Sequence, residues 1–322
     1  MVGNRLTSYW KNKKILITGG AGFLGTHITK HLTKMGVSRS KIKIPRSKDT
    51  DLRVWKNCQD TTEDIDIVLN LAARVGGIGY NQKNPATLFY DNILMGTQLI
   101  EAARLASVKK YVQVGTVCSY PKFTPAPFKE ENLWNGYPEE TNAPYGIAKK
   151  ALLVMAQAYR KQYGMNIIYL IPVNLYGPKD NFNPESSHVI PALIKKFTDA
   201  VEKEAKQVVV WGTGNASREF LYVEDAAEGI LTAAERYNKS DPINLGSGKE
   251  ITIKKLANLI AQLTGYRGQI VWDTKKPDGQ PRRYLDISKA KTEFNFEAKT
   301  DLTEGLKKTI EWYKQKKHRK NR

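Results

Sequence analysis

Apolar residues near the start of the chain change from a continuous run to a helical spacing. The segment KKILITGGAGFLGTHITKHLTKMG predicts a buried strand, a glycine turn and an amphipathic helix that ends at Gly36. Further strands are predicted at KIKIP, IDIVLNLAA, KYVQVGT and NIIYLIPVNLYG, and helices at NILMGTQLIEAARLAS and YGIAKKALLVMAQAYRKQYG. Strands that alternate with helices predict an α/β fold, with a Rossmann-type doubly wound parallel sheet and right-handed crossovers.

After Pro178 this alternation changes. A polar loop precedes a predicted helix at VIPALIKKFTDAVEKEA and a strand at QVVVWG. The segments REFLYVEDAAEGILTAAERY and PINLGSG predict a return to the sheet, and the remainder predicts two helices and the short strands QIVWD and RYLD. We therefore expect a smaller, interleaved α/β substrate-binding domain. The predicted division assigns 1–178 and 217–246 to the Rossmann unit, and 179–216 and 247–322 to the second unit.

Composition narrows the function classes. With 322 residues, of which 41% are hydrophobic, the chain can bury a large core. It has no apolar run of roughly 18 residues, which a membrane helix needs, and its first residues are too polar for a secretory signal. No membrane partner is expected. The two cysteines, Cys58 and Cys118, are expected to be free thiols, which predicts a cytoplasmic protein.

The chain is strongly basic, with 51 basic against 32 acidic side chains and a net charge of +19. This excess predicts a polyanionic partner, such as a nucleotide cofactor, a nucleotide sugar or a nucleic acid. Part of it lies in the C-terminal stretch KQKKHRKNR, which is typical of a solvated helix end. No nucleic-acid recognition motif accompanies the charge, so a nucleic acid is not the expected partner.

Three glycines follow the first predicted strand at the spacing GxxGxxG. Gly19, Gly22 and Gly25 permit a tight turn and close backbone approach, and the helix that follows can attract a pyrophosphate at its N-terminus. The strand and helix around the motif favour a dinucleotide site over a simple strand-to-helix turn.

The second predicted strand ends in a basic segment. An NAD site normally carries an acidic residue there, to bind the ribose hydroxyls, but this chain has Arg46, Ser47 and Lys48. Positive charge suits a 2′-phosphate, so the sequence predicts NADPH/NADP+ as the cofactor. The alternative is a basic surface loop in a basic protein.

Tyr145 and Lys149 lie four residues apart and therefore share one face of a predicted helix. A lysine ammonium beside a phenol favours the phenolate, so we expect a lowered pKa for Tyr145. Thr116 ends a predicted strand at the carboxyl edge of the sheet, where such folds bind ligands. Its hydroxyl can bond the same substrate oxygen as Tyr145.

With these motifs the chain resembles the extended short-chain dehydrogenase/reductase superfamily and, more closely, the GDP-L-fucose synthase family. The similar stretches are AARVGGIGYNQKNPATLFYDN, CSYPK, TNAPYGIAKK, NLYGPKDNFNPESSHVIPALIKKF, VVVWGTG, REFLYVEDAA and KPDGQPRRYLD. The resemblance implies a catalytic triad of Thr116, Tyr145 and Lys149. It also implies that Cys118 and His188 are the base and acid of an epimerisation.

The resemblance extends to ligand contacts. The residues expected to bind the cofactor are Gly19, Gly22, Phe23, Leu24, Gly25, Arg46, Ser47, Lys48, Asp51, Leu52, Ala72, Tyr145, Lys149 and His188. The residues expected to bind the substrate are Asn174, Lys196, Trp211, Arg218, Asp278 and Arg282, with Lys196 and Arg218 at the phosphates. No metal is expected, and a homodimer is implied by the resemblance alone.

The sequence also departs from the family pattern. The family usually has serine at Thr116, which keeps the hydroxyl, and arginine at Lys196, where lysine loses a bidentate contact. The glycine turn GGAGFLG resembles that of general sugar-nucleotide epimerases. In related 4,6-dehydratases an Asp-Glu pair follows the catalytic threonine, whereas here Val117 and Cys118 follow it, which argues against dehydration.

The resemblance predicts NADPH-dependent 3,5-epimerisation and 4-reduction of GDP-4-keto-6-deoxy-D-mannose to GDP-L-fucose. One alternative is a C4-reductase, with or without epimerisation, of a related GDP-4-keto-6-deoxy sugar such as a 6-deoxy-heptose or a colitose precursor. Others are a non-catalytic dinucleotide-binding regulator and a nucleic-acid binder. At the level of single residues, Cys118 can be a small buried hydrophobe and His188 a loop histidine.

Overall fold

A computed structural model describes residues 8–276 and 278–320, apart from the side chain of Lys320. Residues 1–7, Pro277 and residues 321–322 lie outside the described residues. The described residues therefore leave out the corresponding ends of the two predicted units, part of the polar N-terminal segment and the end of the basic tail. None of the described helices is long and apolar enough to span a bilayer.

The described strands follow one another as β1 (Ile15–Thr18), β2 (Ile42–Lys43), β3 (Ile67–Asn70), β4 (Lys110–Val114), β5 (Ile167–Pro172), β6 (Asn174–Tyr176), β7 (Gln207–Trp211), β8 (Ser217–Tyr222), β9 (Ile243–Leu245), β10 (Glu250–Thr252) and β11 (Gln269–Asp273). Six of them form a parallel sheet in the order β2-β1-β3-β4-β5-β9. The order reverses between β1 and β3, where open α/β sheets bind ligands beyond their strand ends. The predicted doubly wound fold is confirmed.

The helices are α1 (Phe23–Lys34), α2 (Trp55–Thr62), α3 (Ile78–Lys83), α4 (Pro85–Leu105), α5 (Ala143–Tyr163), α6 (Val189–Glu202), α7 (Val223–Arg236), α8 (Ile253–Thr264), α9 (Ser288–Phe294) and α10 (Leu302–Lys320). Helix α1 packs on α7, and α4 packs on both α2 and α5. Every residue of β1, β3, β4 and β5 is buried. Both faces of the sheet are therefore covered, which explains why these strands are apolar throughout.

A second apolar core lies outside the six-stranded sheet. It includes Ile194 and Phe197 of α6, Leu256 and Ile260 of α8, and Leu306 of α10. Two small sheets accompany it, a mixed sheet in the order β10-β8-β6 and a parallel pair of β11 and β7. The predicted domain boundaries stay a prediction.

Several predicted elements differ from the observed ones. Segment 217–222 pairs with β6 and β10 in the three-stranded sheet and does not return to the central sheet. The segment RYLD has only an isolated bridge, between Phe128 and Leu285. Helices α2 and α3 were not predicted, and the last part of the described chain holds three helices, not two. Short polar helices such as α2 carry too weak an apolar pattern to identify.

The predicted strand NIIYLIPVNLYG divides into β5 and β6. Only Val173 separates them, and its N–H donates to Leu245 O at 2.9 Å. The chain thus passes from the central sheet to the three-stranded sheet through one residue. This passage places Asn174, on β6, directly beyond the carboxyl end of β5.

Candidate active site

The glycine turn, residues 19–25, connects β1 to α1 and is formed by backbone. Gly22 N–H donates to Gly19 O at 2.9 Å, and α1 begins at Phe23 with no acidic residue in its first turn and no side-chain cap. A Cβ on Gly25 would lie 2.4 Å from Gly20 Cα and 2.5 Å from Gly19 O, so only glycine fits there. Uncapped N–H groups at a helix N-terminus suit a pyrophosphate. Leu24 packs against the core, and the ring of Phe23 lies edge-on to His27.

The basic segment after β2 forms an exposed turn. Arg46 O accepts the N–H groups of Asp49 and Thr50, at 2.9 and 2.7 Å. The Arg46 guanidinium makes no ion pair or hydrogen bond with any residue the structure describes, and Ser47 is also exposed. Lys48 Nζ lies 3.6 Å from Asp49. The turn follows a neighbour of β1, so its positive charge lies at the same sheet edge as the glycine turn.

Asp51 and Leu52 have structural partners of their own. The Asp51 carboxylate accepts hydrogen bonds from Arg53, chiefly from its guanidinium, and these bonds lower the pKa of Asp51. Leu52 is buried, and its carbonyl accepts the thiol of Cys58 at 3.1 Å. Both residues lie between β2 and α2. Their predicted contact with a cofactor stays a prediction.

Lys149 is buried and bonds to backbone. Its Nζ donates to Ala72 O at 3.2 Å and to Val114 O at 3.3 Å, and burial lowers its pKa to about 8. Ala72 N–H in turn lies 3.3 Å from the Thr18 hydroxyl. Lys149 therefore ties α5 to the ends of β3 and β4.

The expected lowering of the Tyr145 pKa by Lys149 is wrong. Burial raises the pKa of Tyr145, Cys118 adds to the increase, and a hydrogen bond with Thr116 offsets part of it. The Lys149 ammonium is directed at two carbonyls, so its charge does not dominate around the phenol. The phenol is therefore protonated at neutral pH and can donate a proton.

Cys118 lies in a tight turn beside the start of α5. Its N–H donates to the Thr116 hydroxyl at 3.2 Å, and the neighbouring Ser119 hydroxyl donates to Gly146 O at 2.9 Å. A Cβ on Gly146 would lie 2.3 Å from Cys118 O. This close approach brings Thr116 and Cys118 next to Tyr145. The structure thus joins the 116–118 segment to the Tyr145 helix, as the motifs predict.

Arg283 connects Cys118 to residues from two other parts of the chain. Its Nη1 donates to Cys118 Sγ at 3.6 Å, and its positive charge acts on both His188 and Arg218. His188 precedes α6, and the residue is exposed. Desolvation of its imidazole by the surrounding protein and then the charge of Arg283 lower its pKa. We call Arg218, Arg283, Cys118 and His188 the arginine cluster.

Arg218 supports the loop that precedes Arg283. Its guanidinium donates to Ser217 O, Gln280 O and Asp278 O, at 2.7, 2.5 and 3.1 Å. Burial and then the charge of Arg283 lower its pKa to about 9. Two neighbouring cations without a carboxylate ligand attract anions, and a diphosphate has the matching charge.

The other predicted substrate residues form two groups, and the first contains Trp211, Lys196 and Asn174. Trp211 is 54% exposed, with Lys196 Nζ 5.9 Å and Lys276 Nζ 5.2 Å from its ring centre. A half-exposed ring flanked by cations remains free to stack on a base. Lys196 Nζ also donates to Val209 O at 2.9 Å, and the Asn174 amide donates to Glu219 O at 3.0 Å.

Asp278 and Arg282 are occupied by protein partners. The Asp278 carboxylate accepts the N–H and the hydroxyl of Thr213, at 2.8 and 2.7 Å. Arg282 is exposed and pairs with Glu250 at 2.7 Å. The structure does not bring Arg282 to the arginine cluster; its neighbour Arg283 lies there instead.

Three residues of the site region were not identified from sequence. Arg283 contacts Cys118, the buried Gln280 amide accepts from Arg283 Nε at 2.9 Å, and the buried Glu139 lies close enough to raise the pKa of Arg218. The doubled arginine in QPRRYLD was the available signal, because consecutive residues of an extended segment point to opposite sides. In the described ranges, no group of three His, Cys, Asp or Glu residues could hold a metal ion.

Residues 15–246 match the NAD dependent epimerase/dehydratase family. The chain belongs to this family. Within it, the protein named Probable GDP-L-fucose synthase 1, from Oryza sativa subsp. japonica, is 41% identical over 308 residues, which cover 94% of this chain and 92% of that protein.

Solved structures of the same fold support membership of the epimerase/dehydratase family. A GDP-6-OMe-4-keto-L-xylo-heptose reductase from C. jejuni is 29% identical, with a TM-score of 0.88, and the match covers 95% of this chain and 99% of that one. A GDP-L-fucose synthetase from Naegleria fowleri bound to NADP is 28% identical, with a TM-score of 0.85, and the match covers 96% of each chain. The resemblance stated from sequence is confirmed.

Proposed function

We propose that this protein converts GDP-4-keto-6-deoxy-D-mannose to GDP-L-fucose by 3,5-epimerisation and NADPH-dependent 4-reduction. The observation that carries the proposal is the arginine cluster. A thiol and an imidazole from distant parts of the chain both face Arg283, beside the phenol of Tyr145. Simple reduction needs only a proton donor such as Tyr145, whereas epimerisation needs a base and an acid on opposite faces of the sugar.

The cofactor region fits a phosphorylated dinucleotide. The glycine turn offers uncapped N–H groups to a pyrophosphate, and the free guanidinium of Arg46 suits a 2′-phosphate. Relatives support the same cofactor, since a similar structure contains NADP. We expect the Lys149 ammonium, which bonds to Ala72 O and Val114 O, to bond the nicotinamide ribose as well. When bound, NADPH supplies the hydride for C4.

Epimerisation uses the acidity of hydrogens next to the C4 ketone. Cys118 takes the proton from C3 or C5, and the electron pair of the broken C–H bond moves into the enolate, whose oxygen is stabilised by Tyr145 and Thr116. His188, on the other face, returns a proton to carbon. Each inversion leaves Cys118 as a thiol and His188 as a neutral imidazole; the thiol then releases its proton to water and the imidazole takes one from water, which restores the thiolate and the imidazolium. Arg218 binds the diphosphate, and Trp211 stacks on the base.

Reduction then depends on Tyr145 as the proton donor to the C4 oxygen. Burial raises the pKa of this phenol, so it stays protonated until negative charge develops on that oxygen. Thr116 bonds the same oxygen and restricts its position. The ring carbon gains hydrogen and the oxygen gains the phenolic proton.

The deciding experiment is turnover in deuterated water, with the product examined by NMR. We expect solvent deuterium at both C3 and C5. Cys118→Ala should abolish this exchange and leave a slow direct reduction. His188→Asn should keep some exchange, because the base remains, but should impair inversion. A product without deuterium at C3 and C5 would contradict the proposal.

The second candidate is a C4-reductase of a related GDP-4-keto-6-deoxy sugar. Its support is the similarity in fold to the C. jejuni heptose reductase. Reduction without solvent deuterium in the product would favour this candidate over the first.

A homodimer and a cytoplasmic location complete the proposal. Helices α4 and α5 pack side by side and expose Tyr90, Leu105, Val154 and Tyr163, which are suited to a second copy. Light scattering should give twice the chain mass, and Tyr90→Glu with Val154→Glu should give the mass of one chain. The unpaired cysteines suit a reducing compartment.

A further inference from the structure

We propose that Arg283, held in place by Gln280, stabilises the negative charge that the Cys118 sulfur must carry to act as the base. The proposal rests on the proposed function for its meaning in catalysis, since only epimerisation needs such a base. It assigns roles to two residues, Arg283 as the charge partner of the sulfur and Gln280 as a positioning residue.

The contact between Arg283 and Cys118 has a defined direction. Nη1 lies 3.6 Å from Sγ, and a guanidinium has five donors and no acceptor. The sulfur must therefore accept, and a proton on it must point elsewhere. A thiolate is a stronger acceptor than a thiol, because the hydrogen bond then joins two opposite charges. The contact thus favours the charged sulfur.

Gln280 fixes the guanidinium from the opposite side. Its side-chain oxygen accepts from Arg283 Nε at 2.9 Å, and its side-chain nitrogen donates to Pro121 O at 3.2 Å and to Lys122 O at 2.8 Å. Gln280 is 3% exposed and Arg283 is 7% exposed. The Gln280 amide therefore links Arg283 to the segment that follows Cys118. This link fixes the separation between Arg283 and Cys118.

In the part of the chain that the structure describes, no anion competes for Arg283. Among these described residues, its side chain donates hydrogen bonds only to Gln280 and Cys118, and no carboxylate pairs with it. The other titratable groups around the sulfur are Tyr145 on α5, His188 before α6 and Arg218 on β8. Tyr145 is neutral at neutral pH, and Arg218 adds positive charge. Glu139 and Asp278 add negative charge beside Arg218, so Arg283 is the cation in direct contact with the sulfur.

The test is the rate of Cys118 alkylation by iodoacetamide in the substrate-free protein, followed by mass spectrometry across a pH series. Only the thiolate reacts at a useful rate. Cys58 is an internal control, because it is fully buried and burial raises its pKa to about 12. In the unmodified protein, Cys118 should be alkylated faster than Cys58 at every pH of the series.

Four variants should separate charge from structure. Arg283→Met should slow alkylation at neutral pH by about tenfold or more, the size of effect that an opposite charge has at this distance. Arg283→Lys should retain most of the rate. Gln280→Leu keeps the charge of Arg283 but removes the hydrogen bond that positions it. Its alkylation rate should therefore fall between those of Arg283→Met and Arg283→Lys. Arg282→Met removes the adjacent arginine, which pairs with Glu250, and should leave the rate unchanged.

Equal rates in the unmodified protein and a folded Arg283→Met variant would overturn the inference. So would an unmodified Cys118 that reacts no faster than Cys58, a result that needs no variant. Because alkylation requires no sugar, this outcome is separate from the proposed function. Solvent deuterium at C3 and C5 together with a rate independent of Arg283 would leave epimerisation intact and remove Arg283 from it.

Discussion

The glycine turn and the arginine cluster are two regions of the candidate active site, and they differ in what builds them. The glycine turn consists of backbone from one continuous segment, with the helix N-terminus of α1 as its attractive element. The arginine cluster consists of side chains from four separate segments, held by hydrogen bonds such as that between Arg283 and Gln280. The glycine turn should therefore be sensitive to added atoms, and the arginine cluster to the removal of functional groups.

The largest expected effect comes from removing one oxygen beside the arginine cluster. Tyr145→Phe deletes the proton donor with little change in volume, and general acid catalysis contributes about 10²–10⁴-fold. We expect turnover to fall by that order, measured as NADPH oxidation with the keto sugar. NADPH affinity, measured by fluorescence, should stay unchanged. Near-normal turnover would mean that another group protonates the C4 oxygen.

The glycine turn should fail when one carbon is added. In Gly25→Ala the new Cβ would lie 2.4 Å from Gly20 Cα, so the backbone must shift. Overpacking of this kind costs about 1–3 kcal/mol, and we expect NADPH affinity to fall about tenfold or more. The matched control is Gly79→Ala, where a Cβ meets open space. Equal affinity in the two variants would show that the turn tolerates side chains.

Two arginines test how far the cluster extends. Arg218→Met should raise KM for the sugar nucleotide about tenfold, because a charged hydrogen bond contributes about 1.5–3 kcal/mol. Arg282→Met removes only an exposed pair with Glu250, so KM should change less than about threefold. Steady-state kinetics with saturating NADPH measure both. A larger effect at Arg282 would place the diphosphate on the outer side of this segment.

The smallest effect is expected at the exposed turn after β2. Arg46→Ala removes a guanidinium without a partner in the described chain, so folding should not change. A hydrogen bond at an exposed position contributes about 0.5–1.5 kcal/mol, so kcat/KM for NADPH should fall about threefold to tenfold. The value for NADH should stay constant. Parallel losses with both cofactors would argue against a 2′-phosphate contact.

Local features could be predicted from sequence, whereas features that depend on distant contacts could not. The glycine turn and α1 follow from one segment, so their spacing is readable directly. Arg283 was missed because the sequence alone cannot distinguish two adjacent arginines. In the structure, the contacts with Cys118 and Gln280 identify Arg283. The position of β8 was wrong because its partners, β6 and β10, are remote in sequence.

The pKa of Tyr145 is another property that could not be predicted from the sequence. The spacing of Tyr145 and Lys149 correctly places both on α5, but spacing carries no information about burial. Lys149 bonds to Ala72 O and Val114 O, which are supplied by strands that precede the helix by many residues. Desolvation therefore outweighs the lysine charge at the phenol. Helix geometry alone cannot give this balance.

The passage through Val173 has a consequence for sequence change among relatives. Val173 alone separates β5 from β6, and its N–H is held by Leu245 O. An inserted residue there would reverse the facing of every β6 side chain relative to β8 and would displace Asn174. Length variation within the family should therefore be absent at this point. It should accumulate instead in exposed connections, such as residues 238–241 between α7 and β9.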